Sequence, residues 1–212
     1  MIAVLDYGIG NLRSAEKALQ HLGVDAALTT DPALARQAAG VVLPGVGAFG
    51  RCMEQLRESG LEPVVHEAVE AGKPFLGICI GMQMLFDASE EAPGVKGLGI
   101  IPGEVRRLPT TERLPHMGWN TLKIRTGSKL FDGIDDGSWL YFVHSYAPVP
   151  DDEAVIAATT EYGGPVVAAV EQARVWATQF HPEKSAGNGL RLLANFARRC
   201  AGEPGAGEPG DG

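Results

Sequence analysis

Cys79 is the residue of this sequence whose surroundings best suit nucleophilic chemistry. It lies between two glycines in the segment 77–81, after the apolar run 74–76 and before a segment with helical spacing at 82–88. This order of strand, sharp turn and helix is the cysteine form of the nucleophile elbow G-x-S-x-G. The pattern therefore predicts a thiol nucleophile that forms a covalent acyl intermediate.

Two physical effects would make such a turn reactive. The turn would hold the cysteine in a strained backbone conformation, and the flanking glycines would let neighbouring backbone pass without a Cβ clash. A helix that begins there would direct its free N–H groups at the sulfur and favour the thiolate. The alternative is a buried cysteine on a core strand with glycine neighbours, because cysteine motifs do not transfer freely between families.

A nucleophilic cysteine requires a base, and the base requires a group that orients it. His181 is the best candidate because it follows the apolar strand predicted at 174–180 and is separated from Glu183 only by Pro182. In extended chain, positions i and i+2 point the same way, so imidazole and carboxylate would lie side by side. The carboxylate would then fix the tautomer and stabilise the imidazolium. The alternative is a strand end whose two polar side chains face water.

The other histidines have less suitable surroundings. His21 ends a helical pattern and His66 lies in a charged helix, so we expect both at the surface. His116 and His144 lie among apolar and aromatic residues, which is typical of buried, hydrogen-bonded core groups.

Acyl transfer also needs N–H donors for the oxyanion. The amide of Ile80, directly after the cysteine, is one natural donor. A second donor would come from the loop 44–49, which contains Val46 and Gly47 and follows the short strand predicted at 41–43. Its two glycines would turn backbone rather than side chains toward the site. An ordinary strand-to-helix turn has a similar composition, so this interpretation depends on that strand lying beside the strand of the cysteine.

The composition indicates a globular protein and excludes several function classes. The 212 residues are 45% hydrophobic and 21% charged, which is enough for one domain with a full core. The net charge of −8 argues against a dedicated nucleic-acid surface. Three dispersed cysteines argue against a disulfide framework and a metal site. Because the sequence has neither a signal peptide nor a membrane-length apolar run, we expect a soluble cytoplasmic protein without metal or cofactor.

Strands and helices alternate in the first half of the chain, which predicts an α/β fold with a mainly parallel sheet covered on both faces. The strands expected there are 2–5, 24–28, 41–43 and 75–78, and the helices are 12–22, with Asn11 as N-cap, 49–56 and 63–71. The second half would add antiparallel strands at 103–107, 121–124, 139–143, 154–159, 166–171 and 175–180, and a last helix at 189–199.

Residues 201–212 differ in composition from the rest of the chain. They repeat Gly-Glu-Pro-Gly and contain no apolar side chain larger than alanine or proline. We therefore expect one domain at residues 1–200, followed by a disordered tail at 201–212.

Several motifs in one order resemble a known family. The glycine loop, the cysteine elbow and His-Pro-Glu follow each other as in the class I, triad-type glutamine amidotransferases. Over residues 1–199 the chain is similar in particular to the glutaminase subunits of imidazole glycerol phosphate synthase, through the segments 6–14, 44–49, 77–83, 115–120, 141–146 and 179–185. The resemblance implies a flavodoxin-like fold and an enzyme of histidine biosynthesis.

The resemblance also implies roles for residues. Cys79 would attack the side-chain amide of glutamine, His181 would transfer the protons, and Glu183 would orient His181. The backbone amides of Ile80 and of Val46 or Gly47 would hold the oxyanion. The residues expected to bind the substrate are Gln83, Ser145 and Tyr146.

A partner is implied as well. Ammonia would pass to a cyclase subunit with a (β/α)₈ barrel, which forms imidazole glycerol phosphate and an aminoimidazole carboxamide ribonucleotide, and the two chains would be a heterodimer. The expected interface carries Asn11, Arg13, Met117, Gly118 and Trp119. Residues 115–120 read as a loop with interface-like composition, although such a loop could instead fold its tryptophan into the core.

Two other function classes remain open from the residues alone. A free-standing hydrolase, such as a peptidase or a γ-glutamyl hydrolase, would use the same three catalytic groups without a partner. A catalytically silent regulatory partner would have no need of the full set of Cys79, His181 and Glu183, so this set argues against it.

Overall fold

The computed structural model describes residues 1–9 and 12–202. Its strands are β1 (Ile2–Leu5), β2 (Ala26–Thr29), β3 (Gly40–Gly45), β4 (Phe75–Cys79), β5 (Ala88–Ser89), β6 (Gly103–Arg107), β7 (His116–Thr121), β8 (Lys123–Ile124), β9 (Trp139–His144), β10 (Tyr146–Pro150), β11 (Ile156–Glu161), β12 (Pro165–Gln172) and β13 (Val175–Thr178). Its helices are α1 (Arg13–His21), α2 (Pro32–Gln37), α3 (Phe49–Glu58), α4 (Glu62–Glu70), α5 (Ile80–Gln83) and α6 (Ala186–Cys200). Short 3₁₀ helices occur at Lys129–Phe131, Glu153–Val155 and Pro182–Lys184.

The centre of the fold is an eight-stranded sheet in the order β2–β1–β3–β4–β13–β12–β11–β8. The pairs from β2 to β13 are parallel, and the pairs from β13 to β8 are antiparallel. All residues of β1, β3, β4 and β13 are buried. Continuous apolar runs of this kind are typical of parallel strands covered on both faces. The prediction of a mainly parallel central sheet with helices and additional antiparallel strands is confirmed.

Two smaller sheets lie outside the central one. One has the order β10–β6–β5, and the other pairs β7 with β9 in antiparallel register. The chain passes from the second of these sheets to the first at Ser145, between β9 and β10.

The sequence predictions differ from the structure in several places. The helix expected at 82–88 is the single turn α5, which begins directly after Cys79. The segment 115–120, expected as a loop, is largely strand β7, in which buried His116 alternates with exposed Met117 and Trp119. That alternation has the period of a strand, but a glycine and a proline in the segment favoured a loop. Helix α2 and strands β5 and β10 were not predicted.

Some predictions concern positions outside the described residues. Asn11 and residues 203–212 are among them, which covers the predicted N-cap and most of the predicted tail. Within residues 1–9 and 12–202, no helix is long and apolar enough to cross a membrane. The same part of the chain contains no group of three or more His, Cys, Asp or Glu side chains that could hold a metal ion.

Candidate active site

The backbone of Cys79 is strained at the end of β4. Its φ and ψ angles are 56° and −110°, and the residue is only 3% exposed. A positive φ is uncommon for a residue with a Cβ, and the surrounding structure must hold it in place. The predicted sharp turn is thus confirmed, and it places the sulfur at the carboxyl end of the central sheet.

Glycine is required where α5 meets the neighbouring strands. A Cβ on Gly81 would overlap the carbonyl oxygen of Leu43 in β3, and a Cβ on Gly77 would lie 2.9 Å from the carbonyl oxygen of Gly81. The predicted close approach of backbone around the elbow is therefore confirmed. Peptide groups of β3, β4 and α5 pack directly against each other, and this contact fixes the sulfur relative to β3.

The glycine loop 44–49 begins beside the cysteine, because β3 pairs with β4 and Gly45 is the register partner of Cys79. Two buried side chains hold the loop by hydrogen bonds to its carbonyl groups. The Tyr7 hydroxyl donates to the Pro44 carbonyl at 2.7 Å, and the Cys52 thiol donates to the Val46 carbonyl at 3.4 Å.

His181 reaches the site from the other side of β4. Strand β13 pairs with β4, with Thr178 opposite Ile78, and His181 follows three residues later. Its Nδ1 lies 2.7 Å from Oε1 of Glu183. The histidine and the glutamate therefore come together as predicted.

The backbone around this pair differs from the prediction. Strand β13 ends at Thr178, and Pro182–Lys184 is a 3₁₀ turn rather than extended chain. Proline suits the first position of a helical turn, because its φ is already fixed and its missing N–H is not needed there. The carboxylate therefore reaches the imidazole across a tight turn.

Several hydrogen bonds anchor the loop that carries His181. The His181 N–H donates to the Tyr141 carbonyl at 2.9 Å. Buried Ser185 donates to the His181 carbonyl at 2.6 Å and accepts from the Tyr141 N–H at 3.0 Å. The histidine is thus tied to strand β9 through its own backbone and through one serine hydroxyl.

The electrostatics of the site favour a protonated His181. Burial by itself lowers the pKa of this imidazole, but the Cys79 thiol and the Glu183 carboxylate favour the charged form and raise the pKa to about 9. Within the described residues, Nε2 of His181 is buried and has no hydrogen-bond partner. That nitrogen is therefore available to exchange a proton with a reacting group.

A cavity of about 490 Å³ opens over Cys79 and His181, and Val46, Gly47 and Ile80 line its wall. Gln83, Ser145 and Tyr146 also line it, so the structure brings together every residue predicted for the oxyanion and for the substrate. Gln83 is 1% exposed, which contradicts the alternative of a helix-surface amide.

The amide of Gln83 links two parts of this wall. Its Nε2 donates to the Tyr146 carbonyl and to Oε1 of Gln179, both at 3.0 Å. Gln179 in turn directs its Nε2 at the Cys79 sulfur, 3.8 Å away. Gln179 was not singled out from the sequence, although it lies in the segment 179–185.

Two charged residues of the pocket were also missed. Glu91 lines the cavity and accepts the Phe49 N–H at 2.7 Å, at the end of the glycine loop. Lys184 lines the cavity that His181 also lines. A carboxylate and an ammonium group in one pocket suit a ligand that carries both charges. Nothing in the sequence near Glu91 indicates this role.

Three of the residues predicted for the partner interface are exposed, and Gly118 is half-buried. Met117 is 62% and Trp119 is 49% exposed on β7, with Gly118 between them, and Arg13 is exposed at the start of α1. The indole of Trp119 lies edge-on to Tyr141, with ring centroids 6.1 Å apart. The alternative in which this tryptophan folds into the core is wrong.

Comparison with known proteins gives consistent matches. The family model "Glutamine amidotransferase class-I" matches residues 3–200. Imidazole glycerol phosphate synthase subunit HisH of Syntrophotalea carbinolica is 51% identical over 204 residues, which covers 92% of this chain and 98% of that protein. The HisH subunit of Aquifex aeolicus is 48% identical over 198 residues, covering 93% of this chain and 96% of that protein.

Solved structures share the fold at lower identity. One described as a glutamine amidotransferase has a TM-score of 0.72 and 25% identity, and the match covers 95% of this chain and 98% of that one. The structure of PurLQS from Thermotoga maritima has a TM-score of 0.69 and 17% identity, with 93% of this chain and 97% of that one covered.

Proposed function

This chain belongs to the class-I glutamine amidotransferases and, within them, to the HisH subunits of imidazole glycerol phosphate synthase, and from this premise we propose how its residues carry out the reaction. The protein releases ammonia from the side-chain amide of glutamine for histidine biosynthesis. The observation that carries our assignment of residues is the buried Nε2 of His181, which has no partner in the described chain and shares a pocket with Cys79.

The proposed reaction begins with Cys79 as thiolate and His181 as imidazolium. The sulfur attacks the amide carbon of glutamine, and His181 gives its proton to the leaving nitrogen, so that ammonia departs and a thioester remains. Neutral His181 then takes a proton from water, and the hydroxide attacks the thioester. Glutamate leaves, and the thiolate and the imidazolium are restored. Glu183, at 2.7 Å from Nδ1, keeps the ring in the orientation that both steps need.

Two backbone donors are proposed for the oxyanion, the amides of Ile80 and Gly47. In a trans peptide, the carbonyl of one residue and the N–H of the next point in opposite directions. The Val46 carbonyl points into the core at the Cys52 thiol, so the N–H of Gly47 points away from the core. This favours Gly47 over Val46 as the second donor, and both residues line the pocket.

The proposed glutamine site uses the opposite wall of the cavity. The backbone at Ser145 and Tyr146 would receive the amino-acid end of the substrate, and Gln83 would hold that wall in place through the Tyr146 carbonyl. We add Glu91, whose carboxylate lies at the pocket and suits the substrate's ammonium group.

The ionisation of His181 makes a testable prediction about pH. Activity requires the imidazolium, whose pKa is raised to about 9, so kcat/KM should stay high through neutral pH and fall above about pH 9. The carboxylate of Glu183 contributes to the raised pKa. In Glu183→Gln the alkaline fall should therefore move down by at least about one pH unit. The measurement is glutamate release from pH 6 to 10 for both proteins. An unmoved alkaline limb in the variant would contradict the pairing.

The partner is proposed to be a cyclase subunit with a (β/α)₈ barrel, bound as a heterodimer. The names of the relatives support a complex in which this chain is one subunit. The exposed Met117 and Trp119 on β7, with half-buried Gly118 between them and exposed Arg13, form the proposed contact face. Asn11 belongs to the same proposal but lies outside the described residues.

Glutamate release by the purified chain, alone and with a cyclase subunit loaded with its nucleotide ligand, tests the proposed coupling. Stimulation of release by at least about tenfold is expected, because a coupling free energy of about 1.4 kcal/mol between the partner and this site corresponds to that factor. High activity that ignores the cyclase would favour a free-standing hydrolase instead. Absence of turnover with every partner and ligand would favour a silent regulatory subunit.

Two broader assignments are proposals of the same kind. We assign residues 1–200 to the glutaminase domain, supported by the family match over residues 3–200. We place the protein in the cytoplasm because its reaction serves amino-acid biosynthesis.

A further inference from the structure

Two buried histidines that have no proposed part in the chemical steps, His116 and His144, form a hydrogen-bonded pair next to the pocket, and His144 lines it. His116 is 3% and His144 is 6% exposed, and they face each other across strands β7 and β9. Nδ1 of His116 lies 3.0 Å from Nε2 of His144. The prediction that both are hydrogen-bonded core groups is confirmed. Each histidine also makes a second hydrogen bond, His116 to Asn120 and His144 to the Tyr146 carbonyl.

The outer hydrogen-bond partners of the two histidines determine which ring nitrogens carry a hydrogen. Nδ1 of His144 lies 2.9 Å from the Tyr146 carbonyl, which can only accept, so Nδ1 carries the hydrogen. Nε2 of a neutral His144 is then bare and accepts from Nδ1–H of His116. Nε2 of His116 is bare in turn, and the Asn120 amide donates to it at 3.2 Å. A single direction of donation thus runs from Asn120 to the Tyr146 carbonyl.

Both rings must be neutral for this arrangement to persist, because an additional proton on either ring would set one N–H against another. Burial lowers the pKa of His116 to about 4. Burial also lowers the pKa of His144 to about 4, with His116 and His181 acting in the same direction and the Tyr146 carbonyl opposing them. Neutral rings at pH 7 agree with the hydrogen-bond geometry.

The Tyr146 carbonyl connects this pair with the site already described. It also accepts from Gln83, which bonds Gln179, whose amide nitrogen lies 3.8 Å from the sulfur of Cys79. The bonds therefore form one continuous series from the inner face of β7 to the nucleophile. The outer face of the same strand presents Met117 and Trp119.

Packing on both sides keeps His116 in place. Its ring stacks on Phe142 at 4.8 Å and on Tyr162 at 4.0 Å between centroids. Buried polar networks cost desolvation energy and are expensive if incomplete, whereas a fully bonded one rigidifies its surroundings. Each ring nitrogen of the pair has a partner, whereas Oε1 of Gln83, further along the series, is buried without a partner in the described residues.

We propose that His116 and His144, fixed in their Nδ1–H tautomers, are positioning residues that hold the Tyr146 carbonyl and Gln83 in the geometry required to bind glutamine. They connect the proposed partner face of β7 with the substrate wall of the pocket. This inference rests on the proposed roles of Tyr146 and Gln83 in substrate binding.

The tautomers can be read directly by ¹⁵N NMR of the imidazole nitrogens in the unmodified full chain. At neutral pH, both rings should be protonated at Nδ1 and bare at Nε2. An Nε2–H signal from either ring would overturn the inferred direction of donation. This measurement does not depend on any variant folding.

Kinetics then test the positioning role. His116→Leu should raise KM for glutamine about tenfold, the equivalent of roughly 1.4 kcal/mol, with a smaller change in kcat. His116→Asn keeps an amide donor near the place of Nδ1 and should restore most of the affinity. Asn120→Ala, at a half-buried position, removes the last donor together with its bonds to the Glu161 carbonyl and the Thr121 N–H, and it should raise KM by about threefold. Unchanged KM in His116→Leu and Asn120→Ala would overturn the proposal.

Two further variants separate the possible failures. Phe196→Leu removes a buried ring of α6 that packs on Trp176, away from the histidine pair, so it should lower Tm and leave KM unchanged; an equal rise in KM would indicate a general packing effect and contradict the proposal. Gln83→Ala tests the substrate wall itself. If Gln83→Ala leaves KM unchanged, the proposed substrate contacts fail. If it raises KM while His116→Leu does not, only the positioning role of the histidines fails.

Discussion

Cys79→Ala is expected to lower glutamate release by at least about 10⁴-fold, because the thioester cannot form without the sulfur. The fold should be retained, since the change removes one buried atom and leaves the backbone of the elbow intact. When the variant is combined with the cyclase and its nucleotide, added ammonium salt should still support ring formation. The measurement is glutamate release and product formation by the same complex, with glutamine or with ammonium as nitrogen source.

Cys200→Ala is the matched control for this loss. Cys200 is half-buried at the end of α6, and burial raises the pKa of its thiol to about 12, so almost no thiolate exists at neutral pH. This variant should keep full activity, and an alkylating reagent should still inactivate it through Cys79. Glutamate release that survives in Cys79→Ala would remove the cysteine from the mechanism.

Gly81→Ala should destabilise the protein by about 3 kcal/mol or more and abolish glutamate release. The added Cβ would overlap the Leu43 carbonyl, and neither backbone can move away without separating β3 from α5. Because β3 leads into the loop with Val46 and Gly47, the oxyanion donors would move away from the sulfur even if the chain still folds. The measurements are the urea midpoint of unfolding and the activity of whatever folded fraction remains.

Gly187→Ala is the matched control, because it adds a Cβ at a glycine that has free space around it. A Cβ at Gly187 meets no heavy atom within 4 Å, and the residue lies in helix α6. Alanine there should leave stability unchanged or increase it by up to about 1 kcal/mol, because it reduces the freedom of the unfolded chain. Equal urea midpoints for Gly81→Ala and the parent protein would contradict a constraint from backbone contact.

Local pattern was sufficient to predict the sheet and the strained turn at Cys79. The strands β1, β3 and β4 are apolar runs bounded by glycine or polar residues, and their alternation with helices implies parallel pairing. The turn at Cys79 is also a local feature of the sequence. A glycine two positions before the cysteine and another two positions after it predict both the sharp turn and the close approach of neighbouring backbone. Strain at Cys79 therefore followed from five consecutive residues.

The remaining parts of the site depend on contacts that no local pattern contains. Gln83 and Gln179 are 96 positions apart, and Glu91 lies 42 positions from Phe49, whose N–H it accepts. The length of α5 and the pairing of β7 with β9 are likewise set by packing of distant segments. The interaction of His181 with Glu183 was expected from extended chain, whereas a 3₁₀ turn produces it, since proline favours the turn.

Cys79 and the pocket wall at Ser145 and Tyr146 are attached to different sheets of the fold. Cys79 is attached to the eight-stranded sheet, whereas Ser145 and Tyr146 lie at the junction of the two small sheets. A slight shear between these sheets would widen or narrow the glutamine site while the sulfur keeps its place. His181 is hydrogen-bonded to Tyr141 of β9, which pairs with β7, so the same shear would also move the imidazole relative to Cys79. Pressure on β7 would therefore change the affinity for glutamine and the rate of proton transfer together.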